Sequence, residues 1–453
     1  MTLGIKANVR SFIRDSQKGI RDVVVSMIPQ GIRVAAGTLT YVLLARGLGP
    51  SGLGEYALCL SVAEVTGQLS ELGLGQTGAR YAARAVALGD RAGQMSVLRW
   101  AFRMRMAVVI LAAALVFAAT PVITRVLWHN DNLTPLVRIA LPNAIFLALA
   151  SVPMTYFQSE KRFGQNAVVL GGQALFGLAG VGILALLGKW SVRTAILMMV
   201  VSTAIGAFRF LSRVPREAWW PRSSNREPHL IGGGFWKSPT LQASDLSEDH
   251  HKPAEFAFFL FVSSLIVLVS GKIDLWLIGT YLDVTQVGVY SAAGRLTLPL
   301  VIVLGAFNTV LLPRAASATT LEATRALAAK TFKASLLLAG LGAIYSILGP
   351  ILIPLLFGSS YQSSVLIAQV LCLGLCVAIL VCPIGLVGYN LGLVRFYWIT
   401  SLVQLAATSA TLLVLLPRLG ALAGALACLA NITVGGILNA FLILGRLKSP
   451  PKN

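Results

Sequence analysis

An all-α integral membrane fold, with about twelve transmembrane helices in two parallel-related six-helix bundles, is predicted by three features of the sequence. They are an apolar composition, twelve apolar runs of membrane-crossing length, and a repeat that relates the two halves. The 453 residues are 56% hydrophobic and only 12% charged, with mean hydropathy +0.77. A soluble domain carries about a quarter charged residues, so the solvent for much of this surface is lipid. Apolar runs fall at about 23–45, 54–75, 106–127, 136–158, 168–187, 194–211, 256–282, 287–312, 332–357, 365–389, 398–416 and 421–444. Each is long enough to cross a hydrocarbon layer of roughly 30 Å. The third and fourth are the least cleanly separated.

Charge orients these segments, because cationic loops resist translocation. One set of alternate loops carries 28 Lys and Arg, beginning with Lys6, Arg10, Arg14, Lys18 and Arg21, whereas the opposite loops carry 6: Arg46, Arg125, Arg138, Lys189, Arg193 and Arg418. Both termini are therefore expected in the cytoplasm. The net charge of +20 is spread between apolar runs instead of being gathered on a soluble face, which argues against a nucleic-acid partner. The basic loops suit membrane lipids. The first twenty residues lack a small-residue cleavage site after a short apolar core and read as a retained cytoplasmic tail. The expected organisation is a tail over 1–22, a bundle over 23–211, a cytoplasmic linker over 212–255, a second bundle over 256–445 and a tail over 446–453.

The repeat rests on three anchors. Leu48, Gly54 and Tyr56 return as Leu282, Gly288 and Tyr290, a shift of 234. Arg80 returns as Arg314 at the same shift, and Tyr156, Arg162 and Phe163 return as Tyr389, Arg395 and Phe396 at a shift of 233. With six crossings per half, both halves enter from the same side, so the repeats are parallel. Such pairs commonly enclose a central cavity that opens to either side.

Two stretches carry a resemblance: residues 43–57, LLARGLGPSGLGEYA, and residues 272–296, from Lys272-Ile273-Asp274 through Val287-Gly288-Val289-Tyr290 to Arg295-Leu296. Leu72-Gly73-Leu74-Gly75 and Phe357-Gly358-Ser359-Ser360-Tyr361 add to it. The sequence resembles the polysaccharide flippase branch of the multidrug/oligosaccharidyl-lipid/polysaccharide exporter superfamily. In that branch a basic residue often flanks the seventh-helix aspartate directly, whereas Lys272 stands two positions from Asp274. The resemblance implies export of a polyprenyl-pyrophosphate-linked oligosaccharide across the bacterial inner membrane. Polysaccharide polymerase and glycosyltransferases of the same pathway are then candidate partners.

A charge at mid-membrane costs about 2.5–3.5 kcal/mol on insertion scales and asks for a pair, a wet cavity or a function. Arg33, with Gln30 and Gly37 on its face, lies midway along the first apolar run. Ser61, Glu64, Gln68 and Glu71 form one polar stripe on the second. Lys272 and Asp274 lie toward the outer end of the seventh, and Arg295 lies in the eighth. Residues two apart point away from each other on a helix, so Lys272 and Asp274 cannot pair with each other and also line one wall. Arg33, Lys272 and Arg295 are the expected cationic lining that receives the pyrophosphate. Glu64, Glu71 or Asp274 is expected to balance that charge or to take up a proton, since desolvation favours the neutral form of a carboxyl group. The alternative for all six is interhelical pairing that fixes the bundle.

Other features point away from chemistry. Gln404, Thr408 and Thr411 read as packing glue between helices. The five cysteines lie inside apolar segments and read as small packing residues, not as a disulfide or zinc set. His250-His251 after Glu248-Asp249 reads as a solvated charge run, and Trp219-Trp220 as an interfacial pair. Pro29, Pro142, Pro153, Pro299 and Pro383 are expected to kink helices. No Gly-rich phosphate loop, catalytic triad, metal-ligand spacing or cofactor motif stands out, so neither an enzyme nor a cofactor or metal is expected. The competing readings are a multidrug or toxin extruder of the same superfamily, a membrane polysaccharide polymerase or glycosyltransferase, and a passive scramblase.

Overall fold

The computed structural model of the chain describes the backbone of residues 2–71, 74–160, 162–218, 264–317, 321–390 and 397–448, with side chains over a narrower set. The side chains of Gln30, Arg80, Arg314, Tyr389 and Arg395, and the whole of Trp219-Trp220, Glu248-Asp249 and His250-His251, lie outside the described residues.

The described secondary structure is helical. α1 runs Thr2–Leu69, α2 Leu74–Ala87, α3 Arg91–Val122, α4 Leu133–Ala140, α5 Pro142–Ser159, α6 Phe163–Leu186 and α7 Val192–Leu211. α8 is Ser264–Ser270, α9 Ile273–Tyr281, α10 Val284–Leu296 and α11 Leu298–Ser317. α12 is Leu321–Ile347, α13 Gly349–Phe357, α14 Ser364–Asn390, α15 Tyr397–Leu419 and α16 Leu422–Lys448. Among the described residues, seven segments are long and apolar enough to span a membrane, or ten if each of three bent pairs is one span. The two arms of α1 are the stretches read from sequence as the first two crossings, so the expected count of about twelve is consistent with this architecture. Leu115, Leu186, Ile351 and Phe441 present well over half of their surface outward. So continuous an apolar exterior suits acyl chains.

Each interruption has a local cause. α1 breaks at Gly49, where φ 68 and ψ 179 fall in a region open essentially to glycine alone. The π-type turn Ile123–Leu127 and the loop that follows separate the third and fourth apolar runs. α8 and α9 meet at 41° across Gly271-Lys272, a break inside what the sequence suggests is one uninterrupted seventh helix. α10 and α11 meet at 45°, and Pro299 lies in the first turn of α11. α12 and α13 meet at 57°, with Pro350 opening α13. Proline donates no backbone hydrogen bond and crowds the preceding turn, so a helix reaching it bends or restarts. Pro142 likewise opens α5, whereas Pro153 and Pro383 lie within continuous helices.

The chain divides into two compact units. The first comprises residues 1–43, 66–117 and 139–235, and the second residues 44–65, 118–138 and 236–453. In the first, Met95 and Leu98 of α3, Val152, Tyr156 and Phe157 of α5, Val169 of α6 and Phe210 of α7 pack into one apolar core. In the second, Ala339 of α12 packs on Cys376 and Ile379 of α14. A Cβ on Gly342 would meet Cys376 Sγ at 2.8 Å, so the helices approach closely where side chains are small. All five cysteines are free thiols, and Cys59, Cys372 and Cys376 are buried. α15 and α16 are joined by Gln404 Nε2 donating to the Asn431 carbonyl at 3.1 Å and Asn431 Nδ2 donating to Thr408 Oγ1 at 2.8 Å. Thr411 bonds the carbonyl of Ala407 within its own helix.

Candidate functional site

In the second unit the break between α8 and α9 puts polar groups at membrane depth. Lys272 caps α9, and its ammonium donates to Glu64 Oε2 at 2.7 Å. The two side chains keep 28% and 33% of their surface, so the pair is only half dry. One turn away on α9, Trp276 Nε1 donates to Ser61 Oγ at 2.8 Å. Ser61 and Glu64 are three residues apart on α1, and Lys272 and Trp276 are four apart at the start of α9, so the outer half of the α1 stripe faces the start of α9.

Asp274 points elsewhere, as the two-residue spacing requires. It accepts from the Leu275 backbone N–H at 2.8 Å and from the hydroxyl of Tyr290 on α10. Lys272 and Asp274 thus have separate partners. Ser270 Oγ and Ser291 Oγ are buried nearby in sequence without a protein partner. Arg295 occupies the last turn of α10, half-buried, just before the bend into α11.

The other candidates lie in the first unit. Arg33 is exposed on the first arm of α1, and like Arg295 it interacts with neighbouring groups. Glu71 follows the end of α1, and its carboxylate lies 3.3 Å from Arg105 Nη1. Arg105, on α3, is 1% exposed and also donates to Ser151 on α5. Its Nε is buried without a partner. The structure therefore brings Glu64 to Lys272 and Glu71 to Arg105, each in its own unit.

Arg105, Trp276 and Tyr290 are the partners sequence reasoning missed. Arg105 is counted there as a cytoplasmic loop charge because the third apolar run is taken to begin at Met106, whereas α3 begins at Arg91. The available signal is Glu71 itself, an acid in a polar stripe that needs a cation. Among the described residues no group of three or more His, Cys, Asp or Glu gathers as a metal site would.

Arg46 and Tyr361, both within the stretches that carry the family resemblance, serve packing. Arg46 donates to the carbonyls of Leu355 and Leu356, the unpaired end of α13. Tyr361 donates its hydroxyl to the Ala45 carbonyl at 2.9 Å.

These features define a polytopic all-helical fold, and solved structures of membrane transporters share it. The lipid II flippase MurJ, in an inward closed conformation, matches with TM-score 0.70 and 13% identity over 94% of this chain and 88% of that one. An inward-facing multidrug resistance MATE transporter matches with TM-score 0.65 and 13% identity over 93% and 98%. A superfamily transporter from Pyrococcus furiosus, described as having a binding pocket of reverse polarity, matches with TM-score 0.60 and 14% identity over 94% and 96%. A family model described as polysaccharide biosynthesis protein matches residues 20–319, and the chain belongs to that family. No curated protein matches it.

Proposed function

We propose that the protein flips a polyprenyl-pyrophosphate-linked oligosaccharide from the cytoplasmic to the outer leaflet of the bacterial inner membrane. It does so by alternating access and performs no covalent chemistry. The supporting observation is the family membership, which ties the chain to polysaccharide biosynthesis, combined with the three cations that lie more than five residues from either end of their apolar runs: Arg33, Lys272 and Arg295. Passing such a head group unaided through hydrocarbon would desolvate every hydroxyl and both phosphates. A hydrated, cationic route spares that cost while the polyprenyl tail stays in lipid. Glu64, bonded to Lys272, balances its charge between transport events. Glu71 and Asp274 are the remaining acids that could exchange a proton during the cycle. Both termini face the cytoplasm, as the loop charges direct, and the polymerase and glycosyltransferases of the pathway act on either side of the transfer.

A defined lipid-linked oligosaccharide in proteoliposomes tests this, its outer-leaflet fraction being read by a membrane-impermeant glycosidase or lectin. Wild type is expected to flip it, Arg33→Ala to lose at least about tenfold in rate at equal abundance, and Arg33→Lys to retain part. Equal rates for wild type and Arg33→Ala remove Arg33 from the route. Export of cationic drugs without oligosaccharide flipping would favour the extruder instead.

A further inference from the structure

We infer that the repeat-equivalent glycines Gly54 and Gly288 form a seam without side chains that acts as the outer gate, closed in this structure and parted when the protein opens outward. The inference rests on the transport reading above but on no particular substrate.

Within the second unit, the arm of α1 that follows Gly49 meets α10 at its first turn. A Cβ on Gly54 would fall on the Val284 carbonyl oxygen and stand 2.9 Å from the Gly288 backbone nitrogen. A Cβ on Gly288 would fall on the Pro50 carbonyl oxygen and stand 3.1 Å from the Gly54 backbone nitrogen. Pro50 and Val284 are 234 residues apart, as are Gly54 and Gly288, which is the shift of the internal repeat. Each repeat therefore offers the same four-residue step to the other.

The reciprocity continues one tier outward. Tyr361 bonds the Ala45 carbonyl, and a Cβ on Gly279 would meet the Trp128 ring at 3.2 Å. Ala45 and Gly279 are related by 234 residues, Trp128 and Tyr361 by 233. Four contacts made by paired positions point to a local two-fold relation between the repeats at this seam. Chance packing would not reproduce both shifts.

The make-up of the seam suits a contact that opens. Backbone laid on backbone interlocks no side chains, so its separation strands no large apolar group. Around it lie bonds that water can replace: Arg46 on the end of α13, Tyr361 on Ala45, Trp276 on Ser61, and the half-dry pair Lys272–Glu64. The loop charges assign the end bearing Arg46, Arg125 and Arg138 to the outside. The motif at residues 43–57 then governs access, while binding is left to other residues.

The test uses the full-length protein with its five cysteines replaced and Ser61→Cys added, since Ser61 is 1% exposed beside the seam. In cells, a membrane-impermeant maleimide applied from outside is expected to label this thiol slowly. Gly54→Ala or Gly288→Ala, which force the backbones apart, is expected to speed labelling about tenfold at equal membrane abundance. Gly37→Ala is the control, because nothing lies within 4 Å of a Cβ there. Labelling unchanged in both seam variants overturns the gate. Should those variants fail to insert, a Leu58→Cys/Gly279→Cys pair decides, since a Cβ on Gly279 would lie 3.1 Å from Leu58 Cδ2. Its oxidised form is expected to stop transport reversibly, and a cross-linked protein that transports at the parental rate overturns the gate. Labelling needs no substrate, so a responsive seam in a protein that moves no lipid-linked oligosaccharide would remove the substrate assignment alone.

Discussion

Glu71→Gln is expected to destabilise the first unit by about 3–5 kcal/mol, more than a half-exposed acid would ordinarily cost. The reason lies in its partner. Arg105 is 1% exposed, and its described anionic contact is Glu71 at 3.3 Å. Neutralising the acid leaves a guanidinium in the interior with only neutral groups such as Ser151 to meet it. Glu71→Gln combined with Arg105→Met is expected to recover much of the loss, because a similar volume is filled and no charge remains. The measurement is the fraction of detergent-solubilised protein that stays monodisperse on heating. A Glu71→Gln midpoint equal to that of wild type would show that the pair carries no stability.

Lys272→Met is expected to lower flipping at least about tenfold, since it removes a cation from the route and leaves Glu64 without a counter-ion at a depth where a lone charge costs about 2.5–3.5 kcal/mol. The charge-swapped double variant, Lys272→Glu with Glu64→Lys, separates pairing from binding. It keeps the attraction across 2.7 Å and so restores abundance. It moves the cation from α9 to α1, and flipping is expected to stay low. A swap that restores transport to the wild-type rate would reduce Lys272 to a structural partner.

The membrane class, the helix succession and the separate fates of Lys272 and Asp274 were legible in the sequence, because each follows from a short-range rule. Apolar runs record solvent, and two residues along a helix turn the side chain through about 200°. The break at Gly271-Lys272 was not legible, since Val267, Leu268 and Ile273 around it are as apolar as any span. Nor was the burial of Arg105, because a basic residue beside an apolar run reads as a loop charge until another helix is seen to cover it. The repeat supplied Gly54 and Gly288 as matched letters. Only the three-dimensional arrangement placed those letters against each other, since matching says nothing about touching.

The three bends of 41°, 45° and 57° all lie between residues 264 and 357. Where a helix restarts, the regular ladder gives way to single-turn bonds such as Lys272 N–H to the Val269 carbonyl at 3.0 Å and Leu348 N–H to the Tyr345 carbonyl at 3.1 Å, and local opening becomes cheap. Compliance is thus concentrated in that stretch, while α6 and α7 run unbroken. Deuterium is expected to enter the amides at 271–273 and at Leu348, Gly349, Ile351 and Leu352 well before those in the middle of α6 and α7, marking where the protein yields first under load.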